Sequence, residues 1–221
     1  MSKDFIVLSI DGGAASGKST TALVLAEKLN LMHVDTGSHY RAICHALLQC
    51  GMDDGCEEKL GETLEKLTFD TRIDGQQGVV SLNGSVLGRE QLRSNEVNAS
   101  VSSYAAQPLV RKKLLEYQRS QASIAKTEGF LGLVMEGRDI GSVIFPNADV
   151  KIFLSAEERE RERRRAAEGQ ADSIQKRDEM DSNRKTAPLT CPKDAVVIDT
   201  GKHNVESVVA VVADLVEKAR A

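Results

Sequence analysis

The chain has 221 residues, 41% of them hydrophobic and 28% charged, with a formal net charge of −4. That length supports one domain with a substantial core, or a core carrying inserted lobes, and the composition excludes a disordered chain. The acidic balance excludes an overall basic face for a nucleic-acid backbone, and no apolar run reaches transmembrane length, so the expectation is a cytoplasmic protein with neither nucleic-acid nor membrane partners.

The first predicted element is a strand over 5–10, a nearly continuous apolar run of the kind shown by parallel strands buried on both faces. It runs into Gly12-Gly13-Ala14-Ala15-Ser16-Gly17-Lys18-Ser19, a full match to the phosphate-binding pattern G-x-x-x-x-G-K-[ST]. Glycines let successive backbone N–H groups converge on a phosphate, Lys18 adds a mobile positive charge, and the Ser19 hydroxyl is suited to Mg²⁺. A helix over 20–29 follows, offering Leu23, Leu25, Ala26 and Leu29 to the core, and its N-terminus adds partial positive charge at the same phosphate.

A second strand over 31–34 leads to Asp35-Thr36-Gly37-Ser38-His39-Tyr40-Arg41 and a helix over 38–50. Arg41 there is either a surface arginine or a fork for a second phosphate. Residues 68–93 break the pattern with short strands and Asp-Gly and Asn-Gly hairpin signals, read as a small antiparallel insert separate from the parallel sheet. A third strand over 131–135 ends in Glu136-Gly137-Arg138-Asp139-Ile140-Gly141, a charged turn bounded by glycines. Fourth and fifth strands fall at 150–154 and 195–198. An amphipathic helix over 205–219 closes the chain, with Val205, Val208, Val209, Val212, Leu215, Val216 and Ala219 on one side. Five apolar strands separated by helices predict a parallel sheet with helices on both faces, and in such sheets ligands bind beyond the carboxyl ends of the strands.

Between the last two strands lies 157–168, charged on all sides. It is either a solvated helix held by i,i+4 ion pairs or a mobile lid whose arginines meet phosphates on closing. Beyond it, Arg177, Asp181 and Arg184 fall at i, i+4 and i+7 of one helical face. The cysteines Cys44, Cys50, Cys56 and Cys191 form no C-x-x-C pair and the four histidines no ligand cluster, which predicts reduced structural thiols and no zinc site.

Taken together, Asp35-Thr36-Gly37…Tyr40-Arg41, Gly137-Arg138-Asp139-Ile140-Gly141 and Arg177…Asp181…Asn183-Arg184…Ala187-Pro188-Leu189 resemble the bacterial cytidylate kinases, over nearly the whole chain. Residues 88–94 and 105–111 also look like that family's CMP-side insert. The resemblance implies an α/β fold: a P-loop, five-stranded parallel sheet flanked by helices, with a small antiparallel β insert in the monophosphate-binding lobe and a short helical lid. It implies a core of 1–35, 105–155 and 186–221, a CMP-binding lobe of 36–104 with the insert at about 66–94, and a lid with its following arginine-bearing helix at 156–185.

The implied activity is phosphorylation of CMP and dCMP by ATP with Mg²⁺, in a monomer. Gly12 to Thr20 would hold ATP, with Ser19 at the metal. Lys18, Arg41, Arg138 and Arg184 would serve catalysis, the three arginines around the CMP phosphate. Ser102, Arg111 and Asp139 would read the cytosine edge, and Arg177 and Asp181 the ribose. Arg159, Arg163 and Arg164 are the lid candidates. The chain departs from the commoner family form at Gly13, where many members carry Pro, and at Ser19, where many carry Gly. The residues by themselves leave open another small-molecule P-loop kinase, acting on UMP, AMP or a non-nucleotide acceptor, or a P-loop module that binds nucleotide without turnover. The guanine signature N-K-x-D of GTPases does not occur.

Overall fold

The computed structural model describes residues 3–52, 57–167 and 174–221. In chain order these form β1 (Ile6–Gly12), α1 (Lys18–Leu29), β2 (Met32–Asp35), α2 (Thr36–Gln49), α3 (Glu57–Lys66), β3 (Phe69–Asp74), β4 (Gln77–Leu82), β5 (Ser85–Val86), α4 (Arg89–Leu92), α5 (Asn95–Ala106) and α6 (Pro108–Thr127). Then come β6 (Gly132–Gly137), a π-helical turn (Ile140–Ile144), β7 (Val150–Ser155), α7 (Glu158–Ala167), α8 (Ile174–Asn183), β8 (Val196–Asp199) and α9 (Val205–Arg220).

One sheet runs β3-β4-β2-β6-β1-β7-β8, with β5 added to β4. Strands β2, β6, β1, β7 and β8 are mutually parallel, as the apolar runs predict. Their carboxyl ends therefore share one rim, where the functional loops gather. The β3–β5 hairpin is not separate from this sheet, contrary to the sequence expectation. It joins β2 through a single parallel pair, His33 with Gln77, and the His33 N–H donates to the Gln76 carbonyl at 2.7 Å. The physical reason is the open edge of β2: an outer strand of a parallel set presents unpaired backbone groups, and the hairpin covers them.

Three hydrophobic clusters pack on this sheet, one of them built on Met32, Val34, Leu133, Met135 and Ile140. Ile6, Leu8 and Ile10 of β1 and Ile152 and Leu154 of β7 pack with Leu25 of α1 and with Val208, Val212 and Val216 of α9. Each such side chain contributes about 1.5–3 kcal/mol on burial. The α9 stripe is offset from its prediction: Val205 is exposed and Ala213 is buried instead. Leu23 of α1 likewise turns away from the core and lines the cleft described below. A second core joins α2, α3, α5 and α6 to the hairpin through Ile43, Leu47, Leu60, Leu64, Val80, Val101 and Leu114. Helix α6 spans two clusters: Val110 and Leu114 pack with the hairpin and α5, and Ala125 packs with β2 and β6 of the central sheet.

Helix α7 buries one residue, Arg165, as its all-polar pattern requires. Cys44, Cys50 and Cys191 are free thiols, Cys56 lies outside the described residues, and among the described residues no metal-holding cluster of His, Cys, Asp or Glu occurs. Among them, too, no helix is long and apolar enough to cross a membrane.

Candidate active site

A cleft of about 750 Å³ opens at the carboxyl rim of the parallel strands. Its donor end is the P-loop. β1 ends at Gly12, where an added Cβ would run into the Leu154 carbonyl of β7, so the loop can lie flat on the sheet only with glycine there. Gly17, at φ +88°, turns the chain into α1 and leaves the first helical amides aimed into the cleft. Ala14 to Thr20 line the cleft, while Gly12 and Gly13 are not part of its lining. Lys18 is folded back, its Nζ donating to the Gly13 carbonyl at 2.7 Å. Burial, with the nearby Arg138 charge adding to it, lowers the Lys18 ammonium to about 7. A bound polyphosphate would reverse that penalty.

Ser19 Oγ donates to Glu136 Oε2 at 2.9 Å, and the other Glu136 oxygen meets His33 Nε2 at 2.9 Å. Asp35 caps α2, accepting from the Gly37 N–H at 2.8 Å and the Ser38 hydroxyl at 2.7 Å. Both oxygens of Asp35 are thus committed locally, although the residue lines the cleft. The hard oxygens of Ser19 and Glu136 are the chemical type that Mg²⁺ takes.

The acceptor end is made of side chains. Asp139 is buried between two guanidinium groups, Arg111 and Arg184, the latter donating to Oδ1 at 3.1 Å. Arg111 also donates to the Ala105 carbonyl at 3.0 Å and lies over the Tyr40 ring. It sits behind Asp139 rather than on the cleft lining. Arg138 Nε donates to Asp181 Oδ2 at 3.0 Å, and Arg184 approaches the other oxygen of Asp181 at 3.6 Å. Arg41 is buried, with Nη1 donating to the Leu92 carbonyl at 2.9 Å and to Asn98 Oδ1 at 2.7 Å. Among the described residues it makes no ion pair. Burial, with the charges of Arg177 and Arg93 adding to it, lowers its guanidinium to about 10. Ser102, Asp139, Arg177, Asp181 and Arg184 all line the cleft with Arg41 and Arg138.

The turn that carries Arg138 and Asp139 is held from β1. Asp11 accepts from the N–H groups of Ile140 and Gly141, each at 2.7 Å. Burial raises the Asp11 carboxyl to about 6 despite those two bonds. Donor loop and acceptor turn are therefore fixed to one strand end.

Several lining residues escaped the sequence reading: Arg89, Arg93, Glu136 and Arg165. Glu136 stands in the Glu-Gly-Arg-Asp string and Arg93 in the insert segment, so a positional signal existed for both. Of the lid candidates, Arg159 is exposed, and Arg163 is exposed and pairs with Glu160. Arg164 holds Thr200 through its hydroxyl at 3.0 Å and its carbonyl at 2.9 Å. The arginines of α7 that meet the P-loop and the cleft are Arg161 and Arg165, whose surroundings no local pattern marks.

Charge summarises the chemistry. Lys18, Arg41, Arg89, Arg93, Arg138, Arg165, Arg177 and Arg184 line the cleft, against Asp35, Glu136, Asp139 and Asp181. A strongly cationic cleft in a chain of net charge −4 selects anions. Fold and cleft define a P-loop phosphotransferase.

Comparison with known proteins narrows this class. The family model for cytidylate kinase matches residues 8–218, and the chain belongs to that family. A cytidylate kinase of Chloroherpeton thalassium is 40% identical over 228 residues, covering 95% of this chain and 92% of the relative. That of Geobacillus thermodenitrificans is 40% identical over 224 residues, covering 96% and 97%. Among solved structures, an uncharacterized protein from Eubacterium ventriosum aligns with a TM-score of 0.51 at 14% identity, over 96% of this chain and 98% of that one; this likeness concerns the fold alone. The chain is a phosphotransferase of the nucleoside monophosphate kinase type.

Proposed function

We propose that the chain transfers the γ-phosphoryl group of ATP to CMP, and to dCMP, giving ADP and the cytidine diphosphate. The observation that carries this reading is Asp139, held between Arg111 and Arg184 in the same cleft as the P-loop lysine. A buried carboxylate so placed suits the exocyclic amine of cytosine, and a uracil lacks that donor.

In this reading the P-loop amides and Lys18 hold the ATP phosphates. A second cavity of about 330 Å³, lined by Thr20, Thr21, Arg163, Arg164, Thr200, His203, Asn204 and Val205, takes the adenosine end. Arg41, Arg138 and Arg184 draw the acceptor phosphate in line, with Arg177 and Asp181 at the sugar. Ser19 and Glu136 would hold Mg²⁺, which when bound neutralises the β- and γ-phosphate oxygens. Little covalent help is needed; alignment and charge neutralisation supply the rate. Helices α7 and α8 close over the donor phosphates and exclude water, while residues 36–52 and 57–104 form the acceptor lobe. In this reading the chain acts as a monomer.

The test is a coupled assay with ATP and a panel of monophosphates. CMP and dCMP should turn over well above UMP and AMP. Equal rates on UMP or AMP, or no transfer to any of them, would overturn the acceptor assignment.

A further inference from the structure

One contact ties the donor loop, the lid helix and the acceptor helix together, and neither phosphate chemistry nor base recognition accounts for it. Asp178 of α8 accepts from the Ala14 N–H with Oδ1 at 3.0 Å. Its other oxygen pairs with Arg161 of α7. Arg161 closes the ring by donating to the carbonyl of the same Ala14 at 3.2 Å, and its Nε donates to the Ala156 carbonyl at 3.1 Å. Both backbone polar groups of a single P-loop residue are thus taken by a carboxylate and a guanidinium that also pair with each other. Both side chains are mostly shielded, 15% exposed for Arg161 and 17% for Asp178, so the pair is not a solvent-screened surface bridge.

The sequence makes room for this clasp at one position. A Cβ on Gly13 would lie 2.8 Å from Arg161 Nη1 and 2.8 Å from Asp178 Oδ2, within the contact limit of both. Helix α8 also bears Arg177 and Asp181, and Arg184 follows it directly. A carboxylate fixed to the P-loop therefore sets where the acceptor-side charges stand relative to the donor phosphates.

We propose that Asp178 is a positioning residue which, with Arg161 and the space left by Gly13, clasps the lid helix and the acceptor helix to the P-loop, so that lid closure and in-line alignment occur as one event. This rests on the reading that the P-loop takes ATP and that α7 covers it. Without the clasp, each nucleotide still binds, but alignment loosens and water reaches the γ-phosphorus.

Three single variants test it: Asp178→Asn keeps an acceptor for the Ala14 N–H and removes the charge that Arg161 pairs with; Arg161→Lys shortens the reach to the Ala14 carbonyl; Gly13→Ala disturbs the pair sterically and removes no polar group. Each is read by kcat and KM for CMP, by ATP hydrolysis without acceptor, and by calorimetric binding of a non-hydrolysable ATP analogue. The expected result is a common pattern. Transfer kcat falls about tenfold, the scale of one charge-assisted hydrogen bond, KM for CMP rises, and the ratio of hydrolysis to transfer rises. Binding of the analogue stays within about threefold, since the phosphate-facing amides are untouched. Gly13→Ala is the deciding variant if either charge variant folds poorly. An active wild-type enzyme whose Gly13→Ala and Asp178→Asn forms keep transfer, KM and hydrolysis ratio within about twofold overturns the clasp and leaves the kinase reading standing. A wild-type enzyme inactive on every monophosphate overturns the reading beneath it.

Discussion

The two ends of the cleft are built by different means. The donor end is backbone: a contiguous loop between β1 and α1, with only Lys18 and Ser19 presenting functional side chains. The acceptor end is side chain: Arg41 from α2, Ser102 from α5, Arg138 and Asp139 from the turn after β6, Arg177 and Asp181 from α8, and Arg184 beyond it. Backbone amides titrate nothing and only a proline removes their N–H, so the donor end is robust and general. Buried ion pairs are selective but fragile, because losing one partner strands the other in a low-dielectric wall. The comparison predicts that donor-end changes act on catalysis with the fold intact, whereas acceptor-end changes act on specificity and stability together.

Its largest expected effect is at the one donor side chain that carries charge. Lys18→Ala should lower kcat by about 10²–10³-fold with the melting temperature unchanged, by analogy with removing one preorganised donor at a developing charge. Turnover near wild type would break the donor assignment.

Asp139→Ala should do both kinds of harm. Stripping the carboxylate from between Arg111 and Arg184 should destabilise the fold by about 3–5 kcal/mol, measured by denaturant titration. CMP should weaken far more than ATP in the same variant; equal losses for both nucleotides would erase the distinction between the two ends.

Ser19→Ala should raise the Mg²⁺ concentration needed for half-maximal activity by roughly tenfold, the lower range for losing a metal-supporting partner. An unchanged metal dependence would move the cation away from the Ser19–Glu136 pair.

A smaller change is expected at Asp181, which Arg138 and Arg184 already hold. Asp181→Ala should narrow the preference for CMP over dCMP, since the carboxylate would no longer accept from the 2′-hydroxyl. A constant ratio in competition assays would remove it from the sugar site.

The smallest effect on activity is expected at His39, a buried residue of α2 packed against Tyr117, whose two ring nitrogens have no hydrogen-bond partner among the described residues. Burial lowers its imidazole to about 4, against an opposing contribution from Asp35. The unfolded chain, with an ordinary histidine, then binds a proton between about pH 6.5 and 4 that the folded one does not. Stability should therefore fall as pH drops through that window. His39→Met should flatten this acid limb in thermal melts and leave kcat at neutral pH unchanged; an identical pH-stability curve would exclude His39 as its source.

Legibility followed the same divide. The P-loop, the five parallel strands and the amphipathic helix that closes the chain were readable because periodicity and turn chemistry are properties of adjacent residues. The hairpin's own turns were readable too, yet its attachment to β2 through His33 and Gln77 was not, since an open strand edge says nothing about what covers it. Arginines in the lid were visible as a run, but their division was not. Glu160 engages Arg163 and Arg164, while Arg161 reaches Ala14, because α7 turns different faces to solvent and to the P-loop.

By itself, then, the sequence determined that a phosphate cradle stands at the end of a buried parallel strand, and which charged segments follow the other strands. Local hydrogen bonding and side-chain period encode those facts within a few residues. Only the tertiary structure decided that Asp139 sits between Arg111 and Arg184, 28 and 45 residues away, and that Asp178 reaches Ala14 across 164 residues. Those contacts depend on how the sheet edge, the lobe and the lid pack against one another. A charged residue's partner is chosen by that packing, and no local pattern records it.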